Sequence, residues 1–110
     1  MKLTLVAMLL PLLTLGARWD YSAADTEIAL ESASQRARCI VWAESRNDPN
    51  AIGQAGELGA IQLHPRGLLG DYFAQGYTDP FDPYQAVEYL DAALARGMAG
   101  HWSPVLRGMC

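Results

Sequence analysis

The chain has 110 residues, 51% of them hydrophobic and 18% charged, with a formal net charge of −4. That length and balance fit one packed domain better than a disordered segment. The acidic excess argues against nucleic acid as a partner, because phosphate binding needs clustered positive charge.

The first element is an uncharged run, LTLVAMLLPLLTLGA from Leu3 to Ala17, preceded by Lys2 and followed by Arg18. A membrane-spanning helix needs about 20 apolar residues, and this run is shorter and contains Pro11. It reads as a secretory signal cleaved after Ala17 or as late as Ala24, which implies export to the periplasm, the cell envelope or the medium. A buried first helix of a cytosolic protein is the alternative. Removing residues 1–17 takes away the only lysine and leaves seven arginines against twelve acids, a net charge of −5.

One compact unit is expected from about Asp25 to Cys110. Ser22 to Asp25 matches the S-x-x-D helix-start signal, and no Gly or Pro interrupts the residues up to Ser45, so a first helix is expected from there to Glu44. Pro49, with Asn47, Asp48 and Asn50 around it, turns the chain back. Gly53, Gly56 and Gly59 then recur every third residue, as suits a tight turn or short irregular hairpin. Leu58 to Leu63 has apolar residues at short helical spacing, and Pro65 would end that short helix.

The strongest helix start follows: Asp82 as N-cap, Pro83 at the first helical position, and Gln85 placed to complete a capping box. Val87, Leu90 and Leu94 form its apolar stripe, flanked by Ala86 and Ala93, and Gly97 stands where a glycine ends a helix. Strands have almost no support, so the fold class is mainly α.

Cys39 and Cys110 lie near the two ends of the mature domain. In an oxidising compartment they most simply form one disulfide, whose loop of about 70 residues would stabilise by roughly 4 kcal/mol in the loop-closure model. Two free buried thiols are the alternative. His64 and His101 have no ligand-like spacing to either cysteine, so no metal or other cofactor is expected, and neither histidine receives a catalytic role.

The chemistry concentrates in AESRNDPNAIGQAGELGAIQ, Ala43 to Gln62. Glu44 follows the apolar run Cys39-Ile-Val-Trp-Ala43, so its carboxyl would project from the edge of a core. Desolvation raises a carboxyl pKa and suits it to general acid work near neutral pH. A solvated helix-end glutamate is the bland alternative.

ESRNDPNA from Glu44, followed by GELGAIQLHP from Gly56, resembles the motifs E-S-x-x-x-P-x-A and G-x-x-G-hydrophobic-hydrophobic-Q, with a proline three residues on, of the soluble lytic transglycosylases and goose-type lysozymes. The helix beginning DPYQAVEYL looks like the family's third core helix. The Ala-Tyr-Asn motif that supplies a tyrosine beside the catalytic glutamate is not evident, and Tyr89 is the candidate substitute. The tail GHWSPVLRGMC is more like the resuscitation-promoting factors, which also pair a cysteine near the catalytic helix with one near the terminus.

The resemblance implies a minimal lysozyme-like fold that cleaves the β-1,4 bond between N-acetylmuramic acid and N-acetylglucosamine in peptidoglycan. Glu44 would protonate the leaving oxygen and then act as base. In a transglycosylase the muramyl 6-hydroxyl attacks and gives a 1,6-anhydro end; in a lysozyme water attacks. A hydrolase needs a second carboxylate, at about 5 Å for retention or roughly 6.5–9.5 Å for inversion. Glu57 is the first candidate, with a solvent-facing turn residue as its alternative, and Asp48 comes second.

Ser45, Gln62, Gly59 and Ala60 become substrate-binding candidates by the same resemblance. Ser45 could instead terminate the helix. Gln62 stands in an apolar stretch and needs amide partners. Trp102 and Trp42 can act as sugar-stacking platforms, although Trp42 reads better as core. A non-catalytic wall-binding descendant of the fold is the competing class. The expected partner is a peptidoglycan strand met by a monomer, either bound weakly or reached through a larger envelope-spanning assembly.

Overall fold

The structure, a computed structural model, describes residues 21–110; the expected export segment, residues 1–17, lies outside the described residues. Among the described residues, five α-helices and one 3-10 turn make up the ordered elements, with no strand beyond isolated bridges.

Helix α1 (Ala23–Leu30) begins where its sequence signal stands: the Asp25 carboxylate accepts from the Ser22 N–H at 2.9 Å. The single long first helix expected from the sequence is in fact two. The chain breaks at residues 31–34, and α2 (Gln35–Ser45) restarts with Ser34 as N-cap, its hydroxyl oxygen accepting from the Ala37 N–H at 3.1 Å. Serine side chains compete for backbone hydrogen bonds and so favour helix caps over helix interiors. Tertiary contacts fix the break. Ser34 Oγ donates to Asp91 at 2.7 Å, and Arg38 donates to the carbonyls of Leu30 and Glu31 at 2.9 and 2.8 Å, satisfying groups that α1 leaves unpaired at its end.

Helix α3 (Leu68–Ala74) was not signalled, because Gly67 and Gly70 dilute its pattern. Its Tyr72 is fully buried, stacks with Tyr77 at 5.0 Å and meets Tyr89 edge-on at 5.1 Å.

Helix α4 (Pro83–Ala95) starts as expected, with the Asp82 carboxylate accepting from the Tyr84 N–H at 2.9 Å. The capping box does not form: Gln85 Oε1 accepts instead from the N–H groups of Thr78 and Asp79 at 2.8 and 3.1 Å, bracing the preceding turn. The helix ends at Gly97, whose φ of 83° is open to glycine at little cost, with Met98 N–H donating to Ala93 and Gly97 N–H to Leu94.

A 3-10 turn (Ala99–His101) leads to the short α5 (Ser103–Leu106). The core gathers Ile40 and Val41 of α2, Ile61 and Leu63 of the loop before α3, Tyr72, Ala86, Tyr89, Leu90 and Trp102. Cys39 and Cys110 are joined by a disulfide across 71 residues, which fastens the C-terminal tail to α2. Closing a loop that long contributes roughly 4 kcal/mol in the chain-entropy account.

Candidate active site

The buried face of α2 runs through Ala37, Ile40 and Val41, and Glu44 continues it at the i+3 and i+4 positions. The helix therefore delivers a carboxyl group to the end of an apolar stripe. Burial raises the Glu44 pKa above the ordinary carboxylate range; the Arg107 guanidinium opposes the shift and the negative charge of Glu57 adds to it. Glu44, Glu57 and Arg107, far apart in sequence, thus share one electrostatic neighbourhood. Arg107 was not singled out in the sequence; it arrives at the end of α5, in the tail that the disulfide holds.

Beyond α2 the backbone is forced. Arg46 and Asn47 adopt left-handed conformations with φ of 54° and 64°, as does Gln62 at 54°. Non-glycine residues in this region are sparse and cost of order 1 kcal/mol or more each, and such residues tend to gather at functional sites. All three flank Glu44 or the loop facing it.

Residues 51–63 are not helical. Leu58 pairs with Ile52 on one side and Leu63 on the other through isolated antiparallel bridges, in place of the short helix expected at Leu58 to Leu63. The Leu58 and Leu63 N–H groups donate to each other's carbonyls at 3.0 and 2.9 Å, and Gly59 N–H donates to Ala51 at 2.8 Å. Gly59 has a φ of 81°, and a Cβ there would land on the carbonyl oxygen of Pro80. The glycine spacing is thus a demand for backbone approach, which no hydropathy period reports.

The substrate-binding candidates are mainly the loop's own fastenings. The Ser45 hydroxyl lies 2.8 Å from the carbonyl oxygen of Ala60 and 3.1 Å from that of Val41, joining the end of α2 to the loop. Gln62 Nε2 donates to the Gly59 and Ala51 carbonyls at 3.0 and 3.3 Å. Gly59 and Ala60 are both buried. Glu57 is half-buried, and its carboxylate accepts from the Ala55 N–H at 2.9 Å, which fixes one of its oxygens. Asp48 is exposed and accepts from the Asn50 N–H at 2.9 Å within its own turn.

Three expectations are corrected. Trp102 is 2% exposed and donates its indole N–H to the Ile61 carbonyl at 3.0 Å, so its ring is core and offers no face to a sugar. Tyr89 is wholly buried, and its hydroxyl donates to the Asp71 carboxylate at 2.7 Å; it braces α3 and does not replace the tyrosine missing beside Glu44. Trp42, by contrast, is 55% exposed on the outer face of α2, where core was the better reading.

Among the described residues, one open groove is lined by residues of α1 and α2 with Trp42 and another by α1 and α4 with Tyr84, and Glu44 lines neither. No group of three or more His, Cys, Asp and Glu side chains suited to a metal is found among the described residues. No protein-family model matches the chain, and no curated protein or solved structure matches it.

Proposed function

We propose that this chain is an exported lytic transglycosylase of minimal lysozyme-like fold that cleaves the β-1,4 bond between N-acetylmuramic acid and N-acetylglucosamine in peptidoglycan. The observation that carries the reading is the placement of Glu44: a carboxyl at the end of the apolar stripe of α2, with its pKa raised by burial. A group so placed stays protonated closer to neutral pH than an exposed glutamate, which is what a general acid requires. The motifs around it, ESRNDPNA and GELGAIQ, supply the substrate class.

In this mechanism Glu44 donates its proton to the glycosidic oxygen as the bond from C1 of the muramyl residue breaks. The resulting carboxylate then takes the proton of the muramyl 6-hydroxyl, whose oxygen closes on C1 to give the 1,6-anhydro ring. Ser45 and Gln62 act on this chemistry through the loop: by holding Ala60 and Gly59 they fix the surface that faces Glu44.

A second reading, hydrolysis by water, is favoured by one observation, the nearness of the Glu57 charge to Glu44. A second carboxylate can stabilise an oxocarbenium ion or activate water. Mass spectrometry of the muropeptides released from purified peptidoglycan separates the two, because an anhydro end is lighter than a reducing end by one water. Anhydro ends are expected. Reducing ends would assign hydrolysis, and binding without release would assign a non-catalytic wall binder.

A further inference from the structure

We propose that the groove between α1 and α2 is a second carbohydrate site, a stacking platform for one pyranose of a glycan strand, built on Trp42 and separate from the Glu44 site. The inference rests on the peptidoglycan reading above. Trp42 and Glu44 are two residues apart on one helix, about 200° around its axis, so the platform lies on the face away from the proposed chemistry.

A tryptophan with more than half its surface in water has given up burial that its neighbours Ile40 and Val41 obtain in full. Its ring is nevertheless held in place. Arg46 donates to the Trp42 carbonyl at 2.8 Å and lays its guanidinium 5.2 Å from the ring centroid, and Arg38 is fixed by the Leu30 and Glu31 carbonyls beside it. The guanidinium over the ring restricts it before any ligand arrives.

The groove's chemistry narrows the occupant. Leu30 and Trp42 offer apolar surface; Glu27 and Glu31 bring acceptors, and Arg38 and Asn47 bring donors. The Glu27 and Glu31 carboxylates repel an anion, and a plain apolar helix would cover them without offering a donor. A neutral polyhydroxylated ring satisfies both kinds: its C–H face covers the indole, while its edge hydroxyls donate to carboxylates and accept from the guanidinium and amide.

The test uses the full-length chain carrying Glu44→Gln, isotopically labelled and titrated with a soluble β-1,4-linked N-acetylglucosamine oligomer. The Trp42 indole N–H resonance should shift saturably, while that of Trp102, sealed against Ile61, stays in place. Trp42→Ala should keep the fold and weaken retention on insoluble peptidoglycan about tenfold, roughly the loss of one stacking contact. The inference is overturned if the oligomer moves the amides of Ala60 and Gln62 but leaves the Trp42 indole unmoved. Shifts at Trp42 in a chain whose unsubstituted form never cleaves peptidoglycan would support the site and sink the enzymatic reading. Silence at both places would sink both.

Discussion

The Ser45 hydroxyl lies 2.8 Å from the carbonyl oxygen of Ala60, joining the residue after Glu44 to the loop that faces it. Removing a hydrogen bond that leaves a part-buried carbonyl without its partner costs about 1–3 kcal/mol. Ser45→Ala is therefore expected to lower Tm by at least roughly 4 °C, read by circular dichroism, and to reduce turnover more than substrate affinity. An unchanged Tm would mean that this hydroxyl is not a fastening.

Gly59 admits no side chain: its φ is 81° and its Cβ position coincides with the Pro80 carbonyl oxygen. Gly59→Ala must both enter a disfavoured conformation and push two backbone segments apart, for a combined loss of more than about 3 kcal/mol. Chemical denaturation measures it. Gly76→Ala provides the control: its φ is also positive but nothing crowds it, so only the smaller conformational cost is expected.

The two tryptophans of the described residues should behave oppositely in stability. Trp102 fills the core and Trp42 stands in solvent, so Trp102→Ala costs about 3–5 kcal/mol while Trp42→Ala stays within roughly 0.5 kcal/mol. Parallel urea melts distinguish them.

The pH profile follows from the charges around Glu44. As general acid it must be protonated, so activity is lost as pH rises through its elevated pKa. Arg107 holds that pKa down, so Arg107→Gln moves the alkaline limb of kcat/KM to higher pH. Glu57 pushes it up, so Glu57→Gln moves the limb to lower pH. Stability follows the same shift: the folded pKa lies above the unfolded one, so ionised Glu44 opposes folding above the folded pKa, and this penalty fades as pH falls toward the unfolded value. Glu44→Gln should thus stabilise the protein at neutral pH more than at acid pH, measured by denaturant melts at two pH values.

Reduction of the disulfide should act twice. It removes roughly 4 kcal/mol of chain-entropy stabilisation, and it frees the tail that carries Arg107. Cys39→Ala with Cys110→Ala, studied where the domain is still folded, should shift the alkaline limb in the same direction as Arg107→Gln.

What the sequence made legible was what local chemistry decides. Asp82 with Pro83 started a helix, Gly97 ended one, and the cysteine pair was joined, because caps, glycines and thiols act over a few residues or by their own reactivity. The break at residues 31–34 was hidden because Ser34 wins only with Asp91 opposite it, a contact 57 residues away. Trp102 and Trp42 exchanged roles for a similar reason: an indole's burial is set by what packs around it, here the Ile61 carbonyl for one and open solvent for the other. At the candidate site, Glu44 and Glu57 were nameable from motif and composition, whereas Arg107 reaches them through the tail and the disulfide, which spacing along the chain does not encode.

The account turns on Glu44. Purified peptidoglycan should be incubated with the unsubstituted chain and with Glu44→Gln, both shown folded by their melts, and the soluble muropeptides quantified by mass spectrometry. The account predicts anhydro-ended fragments from the first and a rate at least about a hundredfold lower from the second. Release by Glu44→Gln at the unsubstituted rate would contradict it.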